Sequence, residues 1–260
     1  MEGHDPYSAI LEAGSRSLYQ LAVFASMVLG GSLIHHDSKA WPLPRAVRFK
    51  IIAGVAAGCL VGCAVPAFFA GGYVGLVASN TILTPKTILG GLLCGFFAAA
   101  IVKRAMGVPY DTSDAFARGG ALVMAVGRLG CMAQHCCFGR PTSGAFGVDL
   151  GDGVTRIPVQ AIEAALVFLL FAMLYVFHER RHFDHRRLFI LFAAYGALRF
   201  GLEFLREDIA SRWLGIGFYQ WLALALFSVG VFQFVRRTKK VRAGVYRERR
   251  SVIEPAEVSA

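Results

Sequence analysis

Long apolar stretches separated by short polar connections dominate the chain. A helix needs about 17–25 mostly apolar residues to cross a hydrocarbon core of about 30 Å. Seven stretches fit this length, with approximate bounds 18–35, 49–70, 88–106, 113–131, 159–177, 187–205 and 217–235. The pattern predicts an all-α, polytopic membrane protein with about seven transmembrane helices. A shorter apolar run at 72–83 predicts a re-entrant or interfacial segment.

The composition supports this fold class. Hydrophobic residues make up 56% of the chain and charged residues 17%, whereas about 25% are charged in ordinary globular proteins. The 29 glycines suit helices whose backbones pack closely in lipid. A soluble enzyme is therefore not the expected class. The first twenty residues carry acids and lack a basic region before the apolar run, so we do not expect a cleaved signal peptide.

The connections between the predicted spans are alternately rich and poor in lysine and arginine. Eighteen of them lie in 36–50, 103–112, 178–187 and the segment from 236, and seven lie in the intervening connections. Because positive charge accumulates on the cytoplasmic side, this predicts an outer N-terminus and an inner C-terminus. We expect a transmembrane domain over 1–235 and a basic cytoplasmic tail over 236–260. The net charge of +10 is then mainly a topology signal, with anionic membrane lipid rather than nucleic acid as the partner of the tail.

Ionisable residues interrupt two of the predicted spans. Arg199, Glu203 and Arg206 follow the spacing i, i+4, i+7, which places them on one helical stripe in the outer half of the sixth span. An arginine at the centre of a span costs about 2.5–3.5 kcal/mol on insertion scales and usually lines a cavity or pairs internally. Mutual neutralisation of Arg199 and Glu203 is the simple alternative. Asp114 and Arg118, in the fourth span, are expected near its cytoplasmic end, where the arginine extends to the interface.

Further arginines are expected at the same depth in the membrane as Arg199. Arg128 and Arg140 bracket the glycine- and cysteine-rich connection after the fourth span, and the planar fork of arginine suits a phosphate. Gly90 and Gly91 open the third span and would let backbone approach a headgroup. A lipid headgroup that carries a phosphate is the common partner these residues predict. Arginines that merely extend to the interface would explain each position singly.

Several motifs resemble the prolipoprotein diacylglyceryl transferase family. They are GRLG followed by GRPT and GV, then RIPVQAIEA, and YGALRFGLEFLRED followed by GFYQW, in an order that agrees from about residue 86 to 222. The resemblance implies a transferase of the bacterial cytoplasmic (inner) membrane that takes part in lipoprotein biosynthesis. It would move the diacylglyceryl group of phosphatidylglycerol to the lipobox cysteine of a prolipoprotein, giving a thioether and releasing glycerol phosphate. No cofactor and no metal are implied.

The resemblance also assigns roles to individual residues. Arg128 matches the arginine that holds the phospholipid and Arg199 the second essential arginine, while Glu203 orients Arg199 or takes up a proton. The residues implied in substrate binding are Arg128, Arg140, Arg206, Tyr19, Gly90, Gly91, Gln160 and Glu163, of which Tyr19 is the loosest match. Donors arranged around a developing negative charge are an effective way to stabilise a phosphate leaving group.

The chain departs from the family pattern at two motifs. Leu89 stands where the family has a histidine before the paired glycines, and CMAQHC replaces NFxNGE, so that Cys136 stands in place of a glutamate. Cys131, His135, Cys136 and Cys137 cluster there, and packing, a disulfide involving Cys131, a metal site or a replacement base remain open. His135 is the candidate general base and the fourth predicted catalytic residue, with Arg128, Arg199 and Glu203. Cys59, Cys63 and Cys94 are expected to pack within spans.

Other functions remain compatible with the same residues. A noncatalytic phospholipid-binding or lipid-translocating protein would keep the arginines and lack the base. A related transferase could serve another acceptor. A secondary transporter is less favoured, because the sequence shows neither an inverted repeat nor paired broken helices.

Overall fold

A computed structural model describes residues 6–77, 87–134, 137, 139–149, 153–206 and 212–246. Within these residues the chain forms seven long helices. They are α1 (Pro6–Ser38), α2 (Arg45–Val77), α3 (Ile88–Ala105), α4 (Ala117–Ala133), α5 (Val159–Glu179), α6 (Arg187–Glu203) and α7 (Phe218–Arg242), with a 3-10 turn (Ser113–Phe116) before α4. The all-α prediction is confirmed.

Six of these helical segments are long and apolar enough to cross a membrane, as judged from length and composition. They are Ser17–Ser38, Arg45–Ala64, Ile88–Ala105, Ser113–Ala133, Val159–Glu179 and Phe218–Arg242. The prediction of a multi-pass membrane protein is therefore confirmed. The seventh helix, α6, has 17 residues and includes Arg187, Arg199 and Glu203. That α6 also crosses the membrane, and the orientation of the termini, stay predictions.

Several helices extend beyond the predicted apolar spans. The first helix starts at Pro6, well before residue 18, and α7 continues to Arg242, into the predicted tail. The α2 helix runs to Val77, so 72–77 is helical, while 78–83 lies outside the described residues. A re-entrant or interfacial position of this segment stays a prediction. A hydropathy pattern marks only the part of a helix that is apolar, and residues such as Arg and Lys extend a helix beyond it.

Helices next to each other in the structure pack closely through glycine. A Cβ atom at Gly58 of α2 would lie 2.4 Å from the Cβ of Ala98, and one at Gly62 would lie 2.2 Å from the carbonyl oxygen of Gly90. Likewise, a Cβ atom at Gly196 of α6 would lie 2.7 Å from the backbone nitrogen of Phe227 in α7. The backbones of α2 and α3, and of α6 and α7, are therefore in direct contact, as expected for helices in lipid.

The α6 helix lies at the centre of the apolar core. Phe189, Phe192 and Tyr195 are each at most 2% exposed and belong to one buried cluster with side chains of α4, α5 and α7. Leu89 of α3 belongs to the same cluster. A helix surrounded by other helices does not need an apolar surface toward lipid. This position explains how α6 accommodates charged residues that would be costly on a lipid-facing helix.

Two ends of the bundle can be distinguished. The C-termini of α4 and α6 and the N-termini of α5 and α7 lie at one end, called here the Arg128 end. At this end β1 (Val148–Asp149) pairs antiparallel with β2 (Thr155–Arg156), and β3 (Arg212–Trp213) pairs with β4 (Ile216–Gly217). Two further antiparallel bridges join Gly139 to Arg206 and Pro141 to Arg156. We call residues 139–149, 153–157 and 204–206 the hairpin cap.

The opposite end, called here the Asp37 end, holds a buried ion pair between α1 and α4. The Arg118 guanidinium donates to both carboxylate oxygens of Asp37, over 2.8 Å from Nε and 2.5 Å from Nη2. Its Nη1 lies 3.5 Å from Glu179 of α5. Arg118 is only 5% exposed. The expectation that it extends to the interface is therefore wrong, because a neighbouring helix supplies its carboxylate inside the bundle.

A second polar cluster at the Asp37 end joins two loops to α7. The carboxylate of Asp111 is paired with Arg237 and lies 3.1 Å from Nδ1 of His185. The His185 ring stacks on Tyr246, with ring centroids 4.0 Å apart. Burial alone would raise the pKa of Asp111, but the hydrogen bond from His185 and the charge of Arg237 lower it overall. Asp111 thus ties loop 106–112 to loop 180–186 and α7.

Candidate functional site

Glu163, in the second turn of α5, lies at the centre of the candidate site. It is 1% exposed. The Nε atom of Arg128 lies 2.9 Å from its Oε1, and Nη1 of Arg199 lies 3.8 Å from its Oε2. The hydroxyl of Tyr195 donates to Oε1 over 2.8 Å. One buried carboxylate therefore brings together arginines from α4 and α6, as the sequence predicted for Arg128 and Arg199.

Glu203 holds Arg199 from the other side. Its Oε2 lies 2.9 Å from Nη2 of Arg199, one turn earlier in α6. Both side chains are buried. Since Arg199 also approaches Glu163, it does more than neutralise Glu203. The contact suits the orienting role that the sequence suggested for Glu203.

Several guanidinium donors in this cluster keep hydrogen-bonding capacity. Arg199 Nη1 and Arg206 Nε are buried and have no hydrogen-bond acceptor among the residues that the structure describes. Arg128 Nε is at ion-pair distance from Glu163, but its N–H does not have the angle of a hydrogen bond. Buried polar groups are usually satisfied, so such donors mark a place where an acceptor can bind.

Among the residues that the structure describes, the charges of the cluster do not cancel. Three guanidinium groups, of Arg128, Arg199 and Arg206, face two carboxylates, of Glu163 and Glu203. Burying a net charge is costly unless a counterion compensates it. A ligand with one negative charge would balance the cluster and supply acceptors for its donors.

The hairpin cap fixes Arg140 next to Arg206. The backbone N–H of Arg140 donates to the Leu205 carbonyl over 2.9 Å, and its Nε donates to the Arg206 carbonyl over 3.2 Å. On the same segment, Gly139 packs against the residues after β2, where a Cβ atom would lie 2.3 Å from the Ile157 carbonyl oxygen. The two arginines predicted as lipid contacts thus belong to one unit, in which the Arg140 side chain remains exposed.

Tyr19 and Gln160 border the same region. Tyr19 of α1 packs on α4 at Gly130, where a Cβ atom would lie 3.3 Å from Cδ2 of the tyrosine. Gln160 is 2% exposed and lies one turn before Glu163 in α5. Both positions are compatible with the predicted role in binding, which stays a prediction.

The paired glycines of α3 have a different environment. A Cβ atom at Gly91 would lie 2.7 Å from Sγ of Cys63, and Gly90 lies against Gly62 of α2. Close packing of α2 and α3 accounts for both glycines, and their role as headgroup contacts stays a prediction. Cys59 also lies in this contact, with its Sγ 2.5 Å from a Cβ atom built at Gly95. This agrees with the packing role expected for these cysteines.

The cysteine-rich connection is only partly described. His135 and Cys136 lie outside the described residues, so the predicted base is not located. Among the described residues no disulfide joins Cys131 to Cys137, and the alternative bridge from Cys131 to Cys136 lies outside them. Nη1 of Arg128 lies 3.9 Å from Sγ of Cys131, and Arg206 interacts electrostatically with Cys137. The thiols therefore adjoin the arginine cluster.

Sequence reasoning missed two residues that organise the site. Tyr195 lies four residues before Arg199 on the same stripe of α6, and this spacing is a signal that could have identified it. Gln220 is 4% exposed, and its Oε1 accepts the backbone N–H of Gly217 over 2.9 Å. The GFYQ sequence is a recognisable start for α7, because the glutamine side chain caps the helix.

Comparison with known proteins gives a consistent match. Residues 17–236 match the sequence profile described as prolipoprotein diacylglyceryl transferase. The chain is 34% identical over 183 residues to phosphatidylglycerol–prolipoprotein diacylglyceryl transferase 1 of Streptomyces coelicolor, a match that covers 66% of this chain and 51% of that protein. It is 31% identical over 176 residues to the enzyme of that name from Streptomyces griseus, covering 65% and 52%.

A third relative extends the comparison to another genus. The phosphatidylglycerol–prolipoprotein diacylglyceryl transferase of Finegoldia magna is 28% identical over 157 residues, covering 59% of this chain and 62% of that protein. The chain spans about half the length of the two Streptomyces relatives that it matches. The matched profile includes α4 to α6 and thus the arginine cluster.

Proposed function

Because the chain belongs to the prolipoprotein diacylglyceryl transferase family, we propose that it is a membrane transferase acting on phosphatidylglycerol. It moves the diacylglyceryl group of this lipid to the thiol of a lipobox cysteine in a prolipoprotein. The observation that carries the proposal is the arrangement of Arg128 and Arg199 around Glu163, with buried donors of Arg199 and Arg206 available to an anion.

The charge balance of the cluster supports a phosphodiester as ligand. Phosphatidylglycerol has one negative charge, on its phosphate, which matches the single excess positive charge of the three arginines and two glutamates. The guanidinium fork presents parallel N–H donors to phosphate oxygens, which an ammonium group does not. We assign the phosphate to the space bordered by Arg128, Arg199 and Arg206.

The difficult part of the reaction is the departure of glycerol phosphate as the leaving group. The thiol sulfur forms a bond to the terminal carbon of the diacylglyceryl group, the carbon–oxygen bond to phosphate breaks, and glycerol phosphate leaves with the bonding electrons. Its phosphate gains negative charge as this bond breaks, and positioned guanidinium donors stabilise that charge. The proton of the thiol goes to a base, for which His135 is the candidate.

Glu163 and Glu203 act as positioning residues in this scheme. Glu163 already accepts from Tyr195 and pairs with two arginines, so it has little capacity left to take up a proton. Glu203 holds the guanidinium of Arg199 at 2.9 Å. Fixing both donors before the lipid binds lowers the cost of organising them during the reaction.

We assign the protein to the bacterial cytoplasmic (inner) membrane, with the Arg128 end at the outer leaflet. The distribution of lysine and arginine supports this orientation, because the connections at the Asp37 end contain most of them. The prolipoprotein substrate would then present its cysteine at the outer surface, where the arginine cluster lies.

A noncatalytic phospholipid-binding protein is the second candidate. The observation that favours it concerns Leu89, which replaces the histidine expected from the family motif and is 1% exposed within the apolar core. A leucine there cannot take up a proton. The arginine cluster alone would then bind the lipid without transferring it.

A transfer assay with purified protein in vesicles separates the two candidates. Phosphatidylglycerol labelled in its acyl chains is mixed with a lipobox peptide that contains cysteine or, as a control, serine. We expect a labelled thioether product with the cysteine peptide only, and its loss in Arg128→Ala. Arg104→Ala, at an exposed position of the Asp37 end, is the matched control and should retain activity. Lipid binding without product would favour the second candidate.

A further inference from the structure

Two hairpin tips at the Arg128 end expose large apolar side chains. Phe146, in the turn of the hairpin cap before β1, is 91% exposed, and Leu214, between β3 and β4, is 75% exposed. Neither residue belongs to one of the candidate membrane spans. Since transfer of a leucine or phenylalanine side chain out of water is favourable, exposing both to water would be unfavourable.

The backbone conformation of Leu214 is one that a leucine rarely adopts. Leu214 and Gly215 both have left-handed φ angles, of 53° and 78°, in the two-residue turn that joins β3 to β4. Such turns favour Asn-Gly or Gly-Gly, and the left-handed conformation is unfavourable for leucine because its Cβ atom crowds the following carbonyl oxygen. Asparagine would suit both the turn and an aqueous surrounding better. An apolar surrounding would offset the cost of leucine.

Helix ends at the Arg128 end also expose large apolar side chains. Leu129 follows Arg128 in α4 and is 45% exposed, and Phe204 follows Glu203 and is 54% exposed. The Phe204 ring packs edge-on against Phe200 of α6, with centroids 5.5 Å apart. Aromatic side chains are enriched where helices leave the hydrocarbon core. The helix ends at the Arg128 end thus expose large apolar side chains, as the two tips do.

Basic residues beside the tips complement a lipid surface. The hairpin cap carries Arg140, which is exposed, and Arg156, which is half-buried in β2. Apolar side chains flanked by arginine are the pattern of segments that lie in the headgroup region, where the arginines meet phosphates and the apolar groups enter the acyl boundary.

We propose that Phe146 and Leu214 are interfacial anchors that insert into the leaflet at the Arg128 end. They hold the hairpin cap and the β3–β4 hairpin against the membrane beside the arginine cluster. The occupant of this surface is the lipid bilayer. The anchoring does not depend on catalysis, so it would hold equally for a transferase and for a lipid-binding protein.

Fluorescence quenching in vesicles tests the insertion. Phe146→Trp and Leu214→Trp are made in the full chain and reconstituted with lipids brominated in the upper acyl chain. Ser143→Trp, at an exposed polar position of the same turn region, is the matched control, and the signal of the three native tryptophans is subtracted. We expect stronger quenching and a blue-shifted emission at 146 and 214 than at 143. Equal quenching at all three positions would overturn the proposal.

A second variant keeps the test independent of tryptophan substitution. Leu214→Asn places in the turn a residue that tolerates the left-handed conformation. In detergent the thermal stability of this variant should therefore equal or exceed that of the wild type. In vesicles it should lose membrane contact, and amide hydrogens of 212–217 should exchange faster than in the wild type. Unchanged exchange in vesicles would contradict insertion. Protection of the tips that requires the lipobox peptide would assign the surface to the protein substrate and also overturn the proposal.

Discussion

The two ends of the bundle use the same side chains in opposite ways. At the Asp37 end, Arg118 donates to both oxygens of one buried carboxylate, at 2.8 and 2.5 Å. At the Arg128 end, Arg199 Nη1 and Arg206 Nε have no acceptor among the described residues. In the first arrangement the arginine and the carboxylate satisfy each other, whereas in the second the described residues retain donors and one excess positive charge. Ion pairing alone therefore does not distinguish the two ends, and neither does a single unsatisfied donor, since Arg186 Nε at the Asp37 end also lacks a described acceptor. The excess of arginine over carboxylate among the described residues is what sets the Arg128 end apart.

The largest effect is expected from breaking the complete pair. Asp37→Ala leaves the Arg118 guanidinium buried without its main carboxylate, which costs about 3–5 kcal/mol for pairs of this kind. Unfolding of the reconstituted protein should show this loss, while transfer activity of the folded fraction stays close to that of the wild type. A stable variant without activity would mean that the Asp37 end takes part in function.

At the Arg128 end we expect a substitution to reduce activity more than stability. Arg199→Lys keeps the charge but removes the planar fork, so transfer should fall by about 10²–10³-fold, the range found when a donor to a developing charge is removed. The free energy of unfolding should change less than in Asp37→Ala. The measurement is the initial rate of thioether formation, with Arg104→Lys as the matched control. Wild-type rates in Arg199→Lys would contradict the assigned site.

A smaller effect is expected from the hydroxyl that holds Glu163. Tyr195→Phe removes one hydrogen bond to a charged group, worth about 1.5–3 kcal/mol, and leaves the ring in the core. We expect a roughly tenfold or greater loss of transfer activity, since both arginines rely on Glu163. Tyr175→Phe, at an exposed tyrosine of α5, is the control. Equal activity of both variants would show that Glu163 is positioned by the arginines alone.

The smallest effect concerns pH at the Asp37 end. The pKa of Asp111 is lowered, so its contribution to stability is complete above its unfolded value of about 3.9 and is lost as pH falls below it. Wild-type protein should therefore be more stable than Asp111→Asn at neutral pH, and the difference should shrink in acid below about pH 4. Unfolding measured from pH 7 to 3 gives this comparison. A difference that grows in acid would contradict the ion pair.

The sequence predicted the helices and the convergence of the arginines well. Apolar length identified each of the seven helices, and the spacing of Arg199, Glu203 and Arg206 placed them on one stripe. Alternation of helix direction put Arg128 at the same end. These features depend on local periodicity and on topology, which are visible in a single sequence.

Partners that lie far apart in the chain were harder to predict. Arg118 reaches Asp37 across 81 residues, and no local pattern distinguishes such a pair from an arginine that extends to the interface. The bridging role of Glu163 depends on how α5 rotates against α4 and α6, and hydropathy does not specify that rotation. Tyr195 was missed because a tyrosine in an apolar helix can face core or lipid equally well.

The pairing of Gly139 and Arg140 with the 205–206 backbone has a consequence for protein engineering. Segments separated by 66 residues share hydrogen bonds. Gly139 also packs against the Ile157 carbonyl oxygen, where a Cβ atom would not fit. A chimera that exchanges 137–157 with a relative should therefore carry 204–206 along with it. Exchanging either segment alone would replace only one partner of these hydrogen bonds. The arginine in the segment that was kept, Arg140 or Arg206, would then be displaced although its own sequence is unchanged.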